Sequence, residues 1–341
     1  MDDEAKLCPV PGAETNRITI PAAEEILGRY FPVLDHGFVA LVDYMGGDAA
    51  IEQATRVAYG HGTHKVSETR GLIRYLHRHR HTSPLEMCEL KFHCSMPIFV
   101  ARQWIRHRTA NVNEMSGRYS HMPMLFYTPP ANQLRFQSKT NKQGREDDTI
   151  ENGQLKEMAF RGWENQRKVG VEQYEWLLGH DFARELARID LPLSMYTQWY
   201  WKIDLHNLLH FLTLRVDAHA QWEIQQYGQI MAGMLKRVAP LSYESWIDYE
   251  VCGARLSRME LEILRQFLAI DKDGMLASHL VGRLNKTSAS DNHDLTAREV
   301  DELFNLFGKK RAGPDYKLDL SLARPASYFE EQAAAAMPKG R

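Results

Sequence analysis

The sequence predicts an α+β protein in which helices flank a mixed β-sheet. Residues 89–96 alternate between apolar and polar side chains, as a strand with one buried face does. Residues 156–180 instead repeat apolar side chains at helical spacing and end at Gly179, which favours a long amphipathic helix. Neither a GxGxxG motif nor a phosphate-binding loop follows a predicted strand, so a doubly wound dinucleotide-binding fold is disfavoured.

Length and composition limit the domain organisation. With 341 residues, 44% of them hydrophobic and 25% charged, the chain can bury one sizeable core and carry extensions. Residues 1–22 contain several prolines and little periodicity, and therefore predict an N-terminal extension. We expect the main domain at 23–252. Residues 253–341 are expected to form a helical C-terminal extension that serves packing or assembly.

Charge and cysteine content exclude several classes of protein. Lys and Arg number 42 against 44 acids, a formal charge of −2, so no overall field would hold nucleic acid or an anionic membrane. No apolar run approaches the ~20 residues of a membrane span. The 4 cysteines are too scattered for a disulfide framework, which favours a reducing compartment. We expect a cytoplasmic protein that binds neither membranes nor nucleic acid, and any anion site must be local.

The first elements follow from short apolar patterns. A strand is expected near Phe38–Tyr44, before the glycine pair at 46–47. Asp48 stands where an N-cap belongs, and Ile51 and Thr55 follow it at helical spacing. A second helix should run from Glu68 to about residue 79.

Three histidines alternate with arginines at the end of that second helix. In a strand, His77, His79 and His81 would share a face and could hold a metal, whereas at a helix C-terminus they would fan out and complement the helix dipole. No acid or cysteine stands at ligand spacing beside them. The sequence therefore favours the helix terminus and no metal.

The middle of the chain combines a short helix with a polar segment. Pro97 can occupy the first position of a helix, where its missing N–H costs nothing. Gln103, Arg106 and His107 then fall on one side of that helix. Residues 135–155 are polar and charge-rich, so we expect an exposed, mobile loop without a catalytic role.

Later elements are indicated by capping residues. Asp204 is a plausible N-cap for a helix that carries His206 and His210 one turn apart, and such a pair is more often a packing feature than a ligand. Two amphipathic helices near the C-terminus each begin with a capping box. The two boxes are Ser257 with Glu260 and Thr296 with Glu299.

Positive charge is concentrated as arginine in residues 92–138. That stretch contains no lysine and a single acid, Glu114. Its arginines are Arg102, Arg106, Arg108, Arg118 and Arg135. A guanidinium offers two parallel donors to a phosphate or carboxylate and can also lie flat on a ring, which lysine cannot do. The stretch predicts an anion site suited to nucleotides, although composition alone also allows a solvated basic loop.

The order and spacing of residues in three separated blocks of the sequence add to what composition indicates. Arg106-His107-Arg108 is followed by seven residues and then Ser116, within PIFVARQWIRHR and NEMSGRYS. SPLE begins at Ser83, and LTLRVDAHAQWEIQQY covers 212–227. Together, over roughly residues 45–250, these blocks resemble the flavin-dependent thymidylate synthases.

The resemblance implies a fold, a reaction and an assembly. The main domain would have the flavin-dependent thymidylate synthase fold and convert dUMP to dTMP. The methylene group would come from 5,10-methylenetetrahydrofolate and the hydride from NADPH through FAD. No cysteine nucleophile is required, and neither Cys88 nor Cys94 stands at a predicted helix N-terminus that would hold a thiolate. The family assembles as a homotetramer with FAD at subunit junctions, and no metal is implied.

The resemblance also implies roles for individual residues. Those implied for FAD are Ser83, Arg106, His107, Arg108, Glu114, Asp204, His206 and His210. Those implied for dUMP are Gln103, Arg106, Glu114, Met115, Ser116, Gly117, Arg118, Arg188 and Arg215. Arg215 would be catalytic, because a cation against the uracil favours loss of the N3 proton. His81 would belong to the approach of folate or NADPH.

Two departures from the family and one alternative function stay open. In place of the family's combination of Asn with Arg or His, this chain has Asp204, His206 and His210, so the resemblance leaves its adenosine contacts open and Asp204 can simply cap its helix. SPLE lacks the aromatic and the following histidine of the family.

The alternative function is that of a non-catalytic module that binds a nucleotide or single-stranded RNA through Arg106–Arg118, with Trp104 and Tyr119 as stacking platforms.

Overall fold

The computed structural model describes residues 18–57, 69–139, 143–267 and 313–338. The helices are α1 (Pro21–Glu24), α2 (Asp48–Val57), α3 (Thr69–His79), α4 (Ile98–Trp104), α5 (Gly153–Gly179), α6 (Arg184–Ala187), α7 (Leu205–Arg215), α8 (Trp222–Val238), α9 (Pro240–Trp246), α10 (Arg258–Phe267) and α11 (Ala326–Ala335). The strands are β1 (Tyr30–Val33), β2 (Gly37–Met45), β3 (Glu89–Pro97), β4 (Asn111–Glu114), β5 (Arg135–Gln137), β6 (Arg145–Thr149) and β7 (Tyr196–Asp204).

Five strands form the central sheet in the order β1-β2-β3-β7-β4, and β5 pairs with β6 in a separate hairpin. The α+β class is confirmed. We expected a mixed sheet, but every pairing between the described strands is antiparallel. Side-chain alternation shows which face of a strand is buried and not the direction of its neighbour, so the sequence could not decide this point.

One face of the sheet carries the apolar core. The side chains of Phe92 and Trp201 are opposite each other on β3 and β7 and are fully or almost fully buried. Trp104, at the end of α4, is fully buried against Trp201 and against Phe211 of α7. Trp104 is therefore a core residue, and the alternative function loses one of its two stacking platforms.

The opposite face of the sheet is polar and aromatic. His93 on β3 hydrogen-bonds through Nδ1 to the Tyr30 hydroxyl (3.0 Å) and through Nε2 to Oε1 of Gln198 (3.1 Å). Its ring stacks on Tyr200 of β7 with the centroids 4.5 Å apart. This face therefore uses paired polar groups where the other face uses apolar packing.

Residues 324–338 pack on this second face and on the edge of the sheet, whereas Tyr316 and Leu318 pack against the apolar core. The main chains of Arg324 and Tyr30 exchange two hydrogen bonds, of 2.7 and 3.1 Å. Phe329 of α11 lies 4.8 Å from Phe38, ring centroid to ring centroid. The packing role expected of the C-terminal part is thus observed for this segment. The domain division at residue 252 remains a prediction.

The helix ends agree with the sequence in most places. α3 ends at His79, and Arg80 follows with a φ of 57°, so the alternating histidines lie at a helix C-terminus. Asp204 caps α7 by accepting from the main-chain N of Asn207 (2.9 Å). The capping box at 257–260 is present before α10. The second box, at 296–299, lies outside the described residues.

Asp48 shows a longer-range cap than the sequence indicated. It begins α2, but its carboxylate accepts hydrogen bonds from the main-chain N of Leu241 (2.7 Å) and of Ser242 (3.0 Å). One carboxylate therefore satisfies the free amides at the start of α9, which lies far away in sequence.

The expectation of a mobile loop at 135–155 is wrong, because β5 and β6 form a hairpin there. Arg145 of β6 reaches Oε2 of the buried Glu223 on α8 (2.7 Å). Local composition could not show this contact, since the two residues are 78 positions apart.

Helix α5 is 27 residues long, yet Tyr174 is its single buried residue. Several large apolar side chains of this helix are exposed, namely Leu155, Met158, Trp163, Val169 and Trp176.

Among the described residues, none of the helices combines the length and the apolar composition that a membrane crossing requires.

Candidate active site

The end of α4 and the end of α7 bring six predicted residues together. We call Gln103, Arg106, His107, Arg108, His210 and Arg215 the α4–α7 cluster. Nε of Arg215 donates to Nε2 of His107 (3.2 Å), and its Nη2 donates to the carbonyl oxygen of Gln103 (3.4 Å). The His107 ring lies 5.7 Å from that of His210 and 4.9 Å from that of Phe211. The expected shared helix face of Gln103, Arg106 and His107 is wrong, because α4 ends at Trp104 and Arg106 and His107 follow it. Gln103 and His107 nevertheless both contact Arg215.

Burial sets the electrostatics of this cluster. Burial, with smaller contributions from Arg215 and His210, lowers the pKa of His107 to about 4. His107 is therefore neutral at pH 7, and its Nε2 can accept the hydrogen bond from Arg215. Burial also lowers the pKa of Arg215.

Arg106 and Arg108 complete the cluster with free charge. Both are exposed, and neither side chain has a hydrogen bond or an ion pair within the described part of the chain. Two unpaired guanidiniums beside a cavity are suited to an anion such as a pyrophosphate.

Two adjoining cavities lie beside the cluster. The smaller, about 360 Å³, is lined by residues that include Arg106, His107, Arg108 and Arg215. The larger, about 660 Å³, is lined by residues that include His81, His206, Trp246 and Arg255. His210 and Leu214 line both cavities. The arginines of the cluster line the smaller cavity, and imidazole, indole and guanidinium groups together with Glu250 line the larger one.

The larger cavity also contains a polar group with no partner. Nε2 of His77 is buried and makes no hydrogen bond with the described residues. Burial, followed by the charge of His206, lowers the pKa of His77 to about 4, so the ring is neutral at pH 7. A buried unsatisfied nitrogen at a cavity wall can bind a ligand group. These features fit a bulky, partly anionic cofactor such as FAD.

The remaining predicted residues form a second group at the end of β4. We call Glu114, Met115, Ser116, Gly117, Arg118 and Arg188 the β4–α6 cluster. Oε1 of Glu114 accepts from the Thr197 hydroxyl (2.7 Å), and the main-chain N of Met115 donates to the Gln198 carbonyl (2.9 Å). These contacts fix the start of the loop to β7.

The rest of this loop is closely packed at one glycine and open elsewhere. A Cβ at Gly117 would lie 2.9 Å from Sδ of Met122 and 3.3 Å from Cδ of Arg188, so a larger residue would displace them. Oγ of Ser116 accepts from the main-chain N of Arg118 (3.3 Å), and Nε of Arg118 donates to the exposed Glu185 (3.1 Å).

The two clusters line different cavities. Glu114 and Met115 line a cavity of about 450 Å³ whose wall includes Phe329 of α11, away from the space beside Arg106 and Arg215. Ser83 is exposed, and its neighbour Thr82 lines the larger of the two cavities beside the α4–α7 cluster. Asp204 caps α7 with both carboxylate oxygens engaged by Asn207. The ligand roles of Ser83 and Asp204 remain predictions.

Sequence reasoning missed several residues that the structure places at or behind the site. They are His77, Asn207, Trp246 and Arg255 at the cavity walls and Gln221 and Glu223 behind Gln103. Glu223 had a visible signal, since it is an acid within an otherwise amphipathic helix and inside the block at 212–227. Arg255 had none, because it comes from a segment without other ligand-type residues.

Comparisons with known proteins identify the family and several relatives of this chain. The family model described as thymidylate synthase complementing protein matches residues 40–241. A flavin-dependent thymidylate synthase of Rickettsia bellii is 47% identical over 270 residues, which are 76% of this chain and 92% of that protein. One from Gluconobacter oxydans is 48% identical over 294 residues, 85% of this chain and 91% of that protein. The similarity therefore extends beyond the segment matched by the family model.

A solved structure supports the same assignment. The crystal structure of a UMP/dUMP methylase, PolB from Streptomyces cacaoi, bound with 5-Br dUMP, is 32% identical in sequence and gives a TM-score of 0.57. The similarity covers 64% of this chain and 97% of that chain. From its sequence, fold and relatives, this chain belongs to the thymidylate synthase complementing protein family.

Proposed function

We propose that this chain is a flavin-dependent thymidylate synthase that methylates dUMP to dTMP. The methylene group comes from 5,10-methylenetetrahydrofolate and the hydride from NADPH through FAD. The observation that carries this proposal is the α4–α7 cluster, in which two unpaired guanidiniums, a neutral imidazole and a half-buried arginine adjoin a large cavity. Family membership and the named activities of the relatives support the reaction.

The residues beside the cavities are suited to hold FAD, which when bound supplies the hydride chemistry. Arg106 and Arg108 would bind its pyrophosphate, since their guanidinium groups are exposed and have no partner among the described residues. His206 and His210 line the larger cavity and would contact the rest of the cofactor. His81 lines the same cavity, which fits a role in the approach of folate or NADPH.

Arg215 would act on the uracil. Its burial lowers the solvation of the guanidinium, so its charge interacts more strongly with a neighbouring ring than an exposed arginine would. A cation at the pyrimidine edge stabilises the form without the N3 proton and makes C5 a better nucleophile toward the folate methylene. C5 then loses its proton, and a hydride completes the methyl group. His107 orients Arg215 by accepting from Nε.

The β4–α6 cluster would hold the phosphate of dUMP. Ser116 offers a hydroxyl donor, and Arg118 and Arg188 offer guanidiniums on exposed segments. The ion pair of Arg118 with Glu185 is exposed on both sides, and exposed pairs contribute little, so a phosphate dianion can replace it.

A homotetramer with FAD at subunit junctions would bring the two clusters together. Within one chain they line different cavities, although both are predicted to contact dUMP. The exposed apolar side chains of α5 offer a surface that association would bury.

Cys88 and Cys94 are buried free thiols, which fits the cytoplasm as the compartment.

The purified protein should be yellow, should oxidise NADPH faster when dUMP is present and should release dTMP. Arg106→Lys should abolish most of this activity, because a point charge cannot replace a bidentate fork. Arg102→Lys is the matched control, since Arg102 is exposed on α4, shortly before Arg106 in sequence, and belongs to neither cluster. A colourless protein that cannot be loaded with FAD, or full activity in Arg106→Lys, would contradict the proposal.

A further inference from the structure

A buried carboxylate stands behind the α4–α7 cluster. Glu223 on α8 is 1% exposed. Its Oε2 accepts from Nη2 of Arg145 (2.7 Å) and from Nε2 of Gln221 (2.9 Å), and its Oε1 accepts from the Tyr127 hydroxyl (3.0 Å). Two segments far away in sequence and the residue that precedes the same helix therefore converge on one acid.

The hydrogen bonds continue from this acid to Gln103. A carboxylate accepts and does not donate, so Gln221 must turn its amide nitrogen toward Glu223. The carbonyl oxygen of Gln221 is then left as an acceptor, and it takes a hydrogen bond from Nε2 of Gln103. The Oε1 of Gln103 consequently remains available as an acceptor. Glu223 thus sets the orientation of two amides in series.

The main chain of Gln103 carries a second constraint. Its carbonyl oxygen accepts from Nη2 of Arg215, the residue proposed to act on the uracil. Movement of Gln103 would therefore affect both its own amide and the guanidinium beside it.

We propose that Glu223, held by Arg145 and Tyr127, is a positioning residue that fixes the side-chain amide of Gln103 for the nucleotide. The amide presents its carbonyl oxygen to a donor of dUMP, such as an N–H of the base or a ribose hydroxyl. The inference rests on the proposed function, because it deepens the role of Gln103 in that site. It also gives the β5–β6 hairpin a part in substrate binding.

A purely structural role would not need this arrangement. A buried ion pair contributes little net stability compared with apolar packing, because desolvation offsets the attraction. An acceptor-only group is required, however, if the direction of the two amides is to be fixed. The chemistry of Glu223 therefore matches a positioning role better than a packing role.

Glu223→Gln tests the orientation with almost no change in shape. A glutamine can donate or accept, so Gln221 and Gln103 lose their fixed direction. In the FAD-loaded full-length protein, with dUMP varied at saturating NADPH and methylenetetrahydrofolate, we expect KM for dUMP to rise at least about tenfold. We expect kcat to change by less than about twofold and FAD content to stay the same.

Gln221→Ala provides a second variant in case the buried substitution fails to fold. Gln221 precedes α8 and is partly exposed, so its loss breaks the same series of hydrogen bonds, while Glu223 keeps its charge and its bonds to Arg145 and Tyr127. Arg167→Ala is the matched control. Arg167 hydrogen-bonds to the carbonyl of Tyr127 (2.5 Å) and to the hydroxyl of Thr128 (2.7 Å), beside the network but without a contact to Glu223. We expect its KM for dUMP to match that of the wild type.

A double substitution separates positioning from general damage. With Gln103→Ala already present, Gln221→Ala or Glu223→Gln should raise KM little further, because the residue that they position is gone. An equal increase in both backgrounds, or an unchanged KM in Gln221→Ala, would overturn the inference. A wild-type protein that does not turn over dUMP would instead contradict the proposed function, before any variant is compared.

Discussion

The two clusters that are predicted to contact dUMP differ in how far a single chain organises them. In the α4–α7 cluster, Arg215 is half-buried and held by His107 and by the carbonyl of Gln103. In the β4–α6 cluster, the side chains of Arg118 and Arg188 are exposed, and Arg118 pairs with an equally exposed glutamate.

This difference shows which part of the site folding has already ordered. A side chain fixed by hydrogen bonds within the fold loses little conformational entropy on binding, whereas a free arginine loses more. Arg215 of the α4–α7 cluster is thus preorganised within one chain. The β4–α6 cluster has its main chain fixed and its arginine side chains exposed, so we expect the ligand or a neighbouring subunit to order them.

Arg215→Ala should have the largest effect, because it removes the centre of the preorganised cluster. We expect kcat/KM for dUMP to fall by about 10³-fold, the scale seen when a preorganised charge donor is lost from an active site. Removing that cation should also raise the pKa of His107, for which Arg215 is the second cause of the lowered value. Steady-state kinetics and an NMR titration of the His107 ring check both outcomes.

Arg102→Ala, on α4 and outside the cluster, should leave both quantities unchanged. If Arg215→Ala retained more than about a tenth of the wild-type kcat/KM, the catalytic role of Arg215 would be wrong.

The second prediction concerns the partner that the β4–α6 cluster is proposed to need. Val169→Glu places a charge on the exposed apolar face of α5 and should shift the protein toward smaller species and lower its dUMP-dependent NADPH oxidation. Light scattering and activity at equal protein concentration measure the two effects. Lys168→Glu, one position earlier on the same helix, is the control and should remain assembled. Both clusters would be complete in one chain if a monomeric Val169→Glu protein kept full activity.

The sequence predicted the α4–α7 cluster well because its parts are local. Gln103 and His107 are close in sequence and contact the same arginine although α4 ends at Trp104, and Asp204 marked the start of the helix that delivers Arg215. Spacing did not show burial, however. Trp104, one residue beyond Gln103, was open as a stacking platform and is instead in the core.

Long-range and intermolecular contacts escaped prediction for a physical reason. The apolar periodicity of α5 indicates that a face is buried against something, but it does not identify the partner, and within this chain Trp176 is 53% exposed. Asp48 and Glu223 each join elements that are far apart in sequence, so no local pattern marks their partners. Direction of pairing in the sheet had no sequence signal either.

Ser116→Ala should have an intermediate effect, on binding more than on turnover. Loss of one hydrogen bond to a charged group costs about 1.5 to 3 kcal/mol, so dUMP affinity should fall about 10- to 150-fold while some turnover remains. Calorimetric titration with dUMP measures the affinity. Ser116→Cys should form no stable adduct with dUMP alone, which mass spectrometry of the intact protein tests. A covalent adduct on wild-type Ser116 would make it a nucleophile and remove it from the phosphate site.

The smallest expected effect is a dependence of stability on pH, which arises from His107 in the α4–α7 cluster. The folded-state pKa of His107 is about 4, below the ordinary value of 6.5, chiefly because the ring is buried. Between these two values the unfolded chain binds more protons than the folded one, so stability is fully present above about pH 6.5 and is lost as pH falls toward 4. The full shift corresponds to about 3 kcal/mol, and solvent at the half-buried ring reduces this to on the order of 1 kcal/mol. Urea midpoints at pH 7.5 and pH 5 measure the loss, which should shrink in His107→Asn. An equal loss in that variant would show that the acid sensitivity arises at other groups, and that the α4–α7 cluster is less buried in solution than its neutral histidine requires.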